Sequence, residues 1–146
     1  MIHHPLIWFR RFRHRKGYGV HSPFAYTFLR DVIYEGNHYY AYDEIEKTLC
    51  GNWWQRMVMR KRERLLFRLK NWCGEHPFIH AMSWSSDVAK QLTPDAMLVL
   101  DRLQDNLVAW RRIQKDGRTR VTFDLYDLGI ALFNPELTKQ NYIVNW

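Results

Sequence analysis

Residues 96–133, AMLVLDRLQDNLVAWRRIQKDGRTRVTFDLYDLGIALF, decide the fold class of this chain. The run AMLVLD (96–101) is almost continuously apolar, which is typical of a strand buried on both faces of a sheet. LQDNLVAWRRIQKDG (103–117) predicts a helix, because its apolar residues recur at helical spacing and a glycine follows its last turn. TRVTFDLYDLGIALF (119–133) predicts a strand-rich segment with a kink at residues 127–129.

Shorter elements flank this stretch on both sides. PFIHAM (77–82) predicts a strand, and SWSSDVAKQL predicts a helix with Ser85 or Ser86 as its N-cap and Asp87 in its first turn. QNYIVNW (140–146) predicts a final strand. The order strand, helix, strand, helix, strand, strand indicates an α/β sandwich, with parallel strands first and an antiparallel edge hairpin last.

The N-terminal half is helical and basic in its pattern. Glycines 17 and 19 are expected to end a first helix, and Ser22-Pro23 is a helix start signal, since serine caps free amides and proline suits the first helical position. We predict helices at residues 5–15, 22–35, 43–50 and 52–72. The last of these carries an apolar side made of Trp54, Val58, Leu65, Leu69 and Trp72. The whole chain, 1–146, is expected to be one domain with a basic helical part (1–74) and an α/β part (75–146).

Composition narrows the protein class. A 47% hydrophobic and 16% aromatic content excludes a wholly disordered chain. There is no run of eighteen apolar residues, and the charges of MIHHPLIWFRRFRHRK follow a short apolar patch, the wrong order for a signal peptide. We therefore predict a cytoplasmic protein, in which Cys50 and Cys73 are reduced thiols.

Positive charge is concentrated in the N-terminal half of a chain whose net charge is +7. Such clusters among aromatic residues suit phosphates and stacked bases, so nucleic-acid binding is one alternative. Contact with a membrane surface and a plain solvated helix face are the others. The residues proposed for nucleic-acid or anion binding are Arg10, Arg11, Arg13, Arg15, Lys16, Arg60, Lys61 and Arg62.

GYGVHSPFAYTFLRDVI (17–33) opens with a Gly-x-Gly-Val-His-Ser-Pro-Phe segment. This segment resembles the N-terminal signature of a bacterial family of class I S-adenosylmethionine-dependent methyltransferases. YYAYDEIE and RERLLFRLKNW are similar to the run-in to that family's first strand, and PDAMLVLDRL, VTFDLYDLGIALF and KQNYIVNW are similar to its last three strands. The resemblance covers residues 15–72 and 94–146 and implies a reduced Rossmann-like, methyltransferase-type sheet. It leaves open whether strand 77–82 corresponds to strand 1 or strand 4 of that fold.

The middle of the chain departs from this family. Its members hold the cofactor at a glycine-rich turn after strand 1, where only glycine lets the backbone approach the ligand. Here the turn after PFIHAM contains Trp84 and no glycine. After Asp101, where the family carries a further acid and a histidine, this chain has Arg102, Leu103 and Gln104. We therefore expect no cofactor, and S-adenosylmethionine only if the family function is retained.

Candidate site residues are few. Asp101 ends a predicted parallel strand, where α/β sheets place functional groups, and the alternative is that it caps the following helix or pairs with Arg102 or another nearby arginine. His21 stands between a glycine turn and a helix start, so it could contact a ligand or simply pack before the cap. Asp124 and Asp127 could bind a metal or shape the kink. His76 and His80 have helical spacing, but Pro77 between them argues against a shared helix and a zinc pair.

The function favoured by the sequence is that of a non-catalytic methyltransferase-fold protein that acts by binding. A sheet lacking half of its strands leaves an open edge, so we predict a homodimer or a complex with another protein through that edge. The alternatives are an active methyltransferase with a remodelled or shared site, and a nucleic-acid-binding protein.

Overall fold

The protein is described by a computed structural model that covers Arg11 and residues 20–146. Its centre is a five-stranded mixed sheet in the order β1-β2-β4-β3-β5. β1 and β2 are parallel, β4 is antiparallel to both β2 and β3, and β5 is parallel to β3. The strands are β1 (Phe78–Ala81), β2 (Met97–Asp101), β3 (Val121–Asp124), β4 (Leu128–Leu132) and β5 (Gln140–Ile143).

Five α-helices surround the sheet among the described residues. A π-helical turn, Leu29–Ile33, continues α1, and a 3₁₀ turn, Leu103–Asn106, leads into α5. The helices are α1 (Pro23–Phe28), α2 (Ala41–Thr48), α3 (Trp53–Cys73), α4 (Ser86–Lys90) and α5 (Leu107–Lys115).

The sheet is covered on both faces, which makes three layers. On one face, α1, the π-helical turn and α3 pack against side chains such as Val99 of β2 and Phe123 of β3. On the other face, α4 and α5 pack against Leu100 of β2, with Trp110 at the centre of the contact. Successive residues of a strand point to opposite faces, and β2 is buried on both sides, with apolar residues at 97–100 and Asp101 at its end. The fold is therefore α/β, as predicted.

Local helix signals agree with the prediction. The Ser22 hydroxyl accepts a hydrogen bond from the Ala25 N–H at 3.4 Å, and Pro23 is the first helical residue. Ser85, not Ser86, caps α4. The predicted 43–50 helix is α2, two residues earlier, and the 52–72 helix is α3. The predicted basic helix at 5–15, apart from Arg11, and the glycines after it lie outside the described residues.

The segment predicted as one kinked strand is two strands joined by a tight turn. Tyr126 has a φ of 79°, and its N–H donates to the Asp124 carboxylate at 2.8 Å. A second hydrogen bond, from the Leu125 N–H to the Leu128 carbonyl, closes the turn at 2.9 Å. The left-handed residue and the side-chain bond reverse the chain, so the predicted kink is a hairpin.

The prediction that the last two strands, residues 119–133 and 140–146, form an antiparallel edge hairpin is wrong, because the final strand β5 is parallel to β3. β4 lies between β2 and β3, and all five of its residues are buried, as suits a central strand. β5 lies at the edge, parallel to β3, and its residues alternate between half-buried and exposed. The two open edges of the described sheet are those of β1 and β5.

α3 is the longest helix in the described chain, and its packing determines where the candidate site lies. Asn52 caps it through a reciprocal pair of hydrogen bonds with Gln55, which explains its sharp start. Cys73, at its end, lies against the residue before β1, since its Sγ is 3.8 Å from the Pro77 carbonyl oxygen. Its middle reaches the opposite, carboxyl end of β2, where Arg62 contacts Asp101. The turns before Arg62 therefore extend past the sheet by about 12 Å.

Candidate functional site

A buried ionic cluster lies at the carboxyl ends of β1 and β2. Asp101, the last residue of β2, is only 3% exposed. The Arg62 Nε–H donates to its Oδ1 at 3.0 Å, and Arg62 Nη2 donates to its Oδ2. The His80 Nε2 lies 2.5 Å from the same Oδ2. Both oxygens of the carboxylate are therefore engaged.

Strand register explains why these three side chains meet. His80 of β1 is paired with Val99 of β2, and Asp101 lies two residues further along β2 on the same face of the sheet. That face is the one covered by α3, so Arg62 reaches the carboxylate from above. Sheet pairing and helix packing thus bring together residues that are 39 and 21 positions apart in the chain.

The ionisation of Asp101 reflects two opposing effects. Burial alone would raise the pKa of Asp101, because the charged form loses hydration. Hydrogen bonds from His80 and Arg62, together with their charges, outweigh burial and lower the pKa of Asp101 below its ordinary value. Burial likewise opposes the charge of Arg62, but Asp101 outweighs it and raises the pKa of Arg62. The carboxylate is thus held ionised and paired, which makes it a poor general base.

A pocket of about 390 Å³ opens beside this cluster. Its apolar wall comes from α3 and from Met82, the residue after β1, and its polar wall comes from the turns after β2 and β3. The lining residues are Val58, Met59, Arg62, Met82, Asp101, Arg102, Gln104, Asp105 and Asp127. The crevice at the carboxyl ends of parallel strands is the usual ligand position in α/β sheets.

The protruding end of α3 exposes large apolar side chains. Trp53 is 73% exposed, and its ring meets that of Trp54 edge to face with centroids 5.4 Å apart. Met57 and Met59, on the next turn, and Met82, across the pocket, are also exposed. The predicted apolar side of this helix is thus buried only in its middle, at Leu65 and Leu69, and exposed at Trp54 and Trp72.

The basic residues of α3 are mostly engaged within the chain. Arg60 and Arg64 both contact the Glu46 carboxylate. Arg68 donates to the carbonyl oxygens of Val32 and Ile33, at the end of the π-helical turn. Within the described part of the chain, three basic side chains of α3 make no hydrogen bond or ion pair: Arg56, Lys61 and Lys70.

The other predicted residues are distributed over separate places. Arg11 donates to the Asp124 carboxylate at 2.7 Å and lies over the Tyr126 ring, so it supports the β3–β4 turn. Asp127 lines the pocket beside Asp101. Among the described residues, no group of three His, Cys, Asp or Glu side chains could hold a metal ion. The remaining basic candidates, Arg10, Arg13, Arg15 and Lys16, lie outside the described residues.

The structure does not bring His21 to Asp101. His21 is exposed, and its neighbour Ser22 contacts Tyr142 of β5. β5 is separated from β2 by β4 and β3, a distance of about 14 Å at the usual strand spacing. The two candidates therefore belong to different parts of the molecule.

Sequence reasoning missed His80 as the partner of Asp101. The i, i+4 spacing of His76 and His80 was weighed only as a helical pair, whereas His80 lies on a strand and its neighbour is across the sheet. A signal was available, because residues 80 and 101 both come close to the carboxyl ends of predicted parallel strands. Arg62 is one of the residues that the sequence suggests for nucleic-acid or anion binding, whereas in the structure it pairs with Asp101.

Comparison of the chain with known protein families, curated proteins and solved structures found no match. None of the helices in the described ranges has the length and apolar character needed to cross a bilayer.

Proposed function

We propose that this chain is a methyltransferase-like but non-catalytic α/β protein that acts by binding another protein. The contact region, called here the β1–α3 surface, consists of the outer edge of β1, Met82 and the protruding turns at residues 53–60. The observation that carries the proposal is the exposure of five large apolar side chains around this end of the molecule: Trp53, Trp54, Met57, Met59 and Met82. Exposed apolar patches of this kind are typical of interaction sites.

The strand order supports the methyltransferase-like part of the proposal. The resemblance matches β2 to the first of the family's last three strands, which is strand 5. In a doubly wound sheet, the parallel neighbour of strand 5 is strand 4. β1 is the parallel neighbour of β2, which supports matching it to strand 4 rather than strand 1 within this proposal. Strands 1 to 3 then have no counterpart in the described chain, and their place beside β1 is open.

The state of Asp101 supports a non-catalytic function. Its position is the one where such a sheet presents catalytic groups, but Arg62 and His80 occupy both carboxylate oxygens. With β1 as strand 4, the glycine-rich cofactor turn that follows strand 1 has no counterpart in the described chain. At this edge the Asp101 carboxylate is paired and is not free to act as a base.

The composition of the β1–α3 surface favours a protein partner over a nucleic acid. Tryptophan, methionine and arginine are the residues enriched in protein interfaces. Nucleic-acid affinity depends on many unpaired cations, whereas four of the seven basic side chains on α3 are bound within the chain.

Charge indicates what the partner must carry. Residues 47–62 contain five basic side chains and no acidic one, and two of the five, Arg56 and Lys61, make no ion pair within the described chain. A second copy of this chain would bring the same positive charge to the contact, which opposes self-association through this surface. We therefore infer an acidic partner segment that adds a strand to the open edge of β1 and places apolar side chains against Met82, Met59 and Trp54.

The test is selection of binding peptides from a random display library on the full chain. We expect enriched peptides with alternating apolar residues and several carboxylates, and binding that is lost in Trp54→Ala and Met59→Asp. The control is Val108→Asp, because Val108 is 67% exposed but lies on α5, on the other face of the sheet. Peptides without acidic residues, or peptides whose binding survives the α3 changes, would refute the proposed surface.

Two further measurements separate the alternatives. Sedimentation measures whether the protein is a dimer. A dimer that is lost in Met59→Asp would show that the partner at this surface is a second copy of the chain and not an acidic segment of another protein. Calorimetry is expected to detect no binding of S-adenosylmethionine, and micromolar binding would overturn the non-catalytic part of the proposal in favour of a remodelled methyltransferase.

A further inference from the structure

A second cleft lies on the other flank of α3, away from Asp101. Its walls are the basic side of α3, the chain segment that follows the π-helical turn (residues 33–37), and Trp146. Its volume is about 560 Å³, within the range of small-molecule sites in proteins. The cleft shares Met57 and Val58 with the α3 end but faces the opposite way from the pocket beside Asp101.

This cleft gathers more positive charge than the chain itself neutralises. Four cationic side chains line it: Arg60, Lys61, Arg64 and Arg68. One carboxylate, Glu46, contacts both Arg60 and Arg64. A carboxylate of the lining itself, Glu35, accepts a hydrogen bond at 2.8 Å from the Asn37 N–H of its own loop. Four cationic side chains against these two carboxylate side chains leave an excess of two positive side-chain charges.

The arginines of the cleft are fixed in place, which preorganises that charge. Arg68 donates to two backbone carbonyl oxygens and to the Tyr42 hydroxyl. Arg64 lies over the Tyr42 ring, with its guanidinium carbon 4.7 Å from the ring centroid. The Nε–H of Arg64 is buried and has no hydrogen-bond partner. An anion entering the cleft would meet positive groups that need little rearrangement.

Lys61 is the cation that lacks a partner. Its ammonium lies 4.4 Å from the centroid of the Trp146 ring and makes no ion pair with any residue that the structure describes. Although the residue is exposed as a whole, loss of hydration around the ammonium and, next, the charge of Arg68 lower the pKa of Lys61. A bound anion would offset both effects, so the position of Lys61 favours anion binding.

We infer that this cleft binds a small ligand through a phosphate group, held by Lys61 with Arg60 and Arg64 beside it. The volume of the cleft suits a small phosphate compound, and arginine and lysine together are the usual phosphate ligands. The inference does not depend on the proposed protein contact, although Met57, Val58 and Arg60 belong to both regions.

The test is calorimetric titration of the full chain with inorganic pyrophosphate and with ADP, in parallel with Lys61→Met. We expect saturable binding that weakens as salt rises and at least about tenfold in Lys61→Met, the loss of one charge-assisted hydrogen bond. Lys70→Met is the matched control, because Lys70 is an exposed lysine of the same helix and lies outside the cleft. This substitution removes the same charge as Lys61→Met.

Two other arms distinguish the source of the phosphate. Lipid vesicles containing phosphatidate and a short single-stranded RNA are titrated under the same conditions. Binding to either of these without binding to pyrophosphate or ADP would overturn the inference. Equal weakening in the Lys61 and Lys70 variants would also overturn it, since net charge and not the cleft would then explain the affinity.

Discussion

Replacing Arg62 by methionine tests whether the buried cluster at the sheet edge is a structural ion pair. The change removes the guanidinium and keeps most of the apolar stem, so Asp101 stays buried with only His80 as a partner. Breaking a fully buried pair costs about 3–5 kcal/mol. Arg62 is 21% exposed and His80 remains, so we expect the free energy of unfolding to fall by about 2 kcal/mol.

The pH dependence of the stability lost in Arg62→Met is a second, independent test of the ion pair. The pKa of Asp101 lies below its ordinary value of 3.8, so its contribution to stability is present above that pH and is lost as pH falls through the folded-state pKa. Without Arg62, burial is opposed by His80 alone and the pKa of Asp101 rises. The difference between the two proteins should therefore be largest at neutral pH and shrink below about pH 4.

The assay is urea unfolding followed by tryptophan fluorescence at pH 7 and at pH 3, the second being below the ordinary pKa of an aspartate. Arg62→Met/Asp101→Asn should recover about 1 kcal/mol relative to Arg62→Met, because the unpaired charge is gone. Arg30→Met, which breaks the exposed pair with Asp31, should leave the free energy of unfolding unchanged. Strict additivity of the two substitutions, or a loss that is the same at both pH values, would refute the ion-pair account.

Three further substitution or labelling experiments follow from the structure. Gly129→Ala should lower the free energy of unfolding by about 1–3 kcal/mol in urea melts, because a new Cβ would lie 2.8 Å from an indole ring, whereas Gly117→Ala meets nothing within 4 Å and should be neutral. Asn52→Ala should cost about 1 kcal/mol in the same melts by removing the α3 cap. In thiol labelling at pH 8, Cys50 should react fast, and Cys73 only after unfolding, because it is buried and burial raises the pKa of Cys73.

Elements governed by short-range chemistry were predictable from the sequence. Ser22 with Pro23, and Ser85, are caps in the structure because a hydroxyl needs only amides three residues away. The run at 96–101 is a doubly buried strand because it has no polar face to present to water. The hairpin at 125–127 was missed, since a kink and a reversal share the same turn residues and only strand pairing separates them.

The candidate site was only half predictable. Asp101 could be named because a strand end is a local property, and pairing with an arginine was foreseen as an alternative. That the arginine is Arg62, and that His80 joins it, depends on the register of β1 against β2 and on how α3 lies across them.

The sequence by itself determined the alternation of helices and strands, the caps, and the concentration of positive charge in the N-terminal half, since these depend on neighbours along the chain. Only the tertiary structure decided which charges remain available, because neutralisation depends on distance in space. Arg62 forms an ion pair with a buried carboxylate, whereas Lys61, one residue earlier, lies over an indole ring. Trp53 and Trp54 are exposed, whereas Leu65 of the same helix is buried. Helix packing made that selection, since it fixes which side of α3 meets the sheet and how far the helix extends past it.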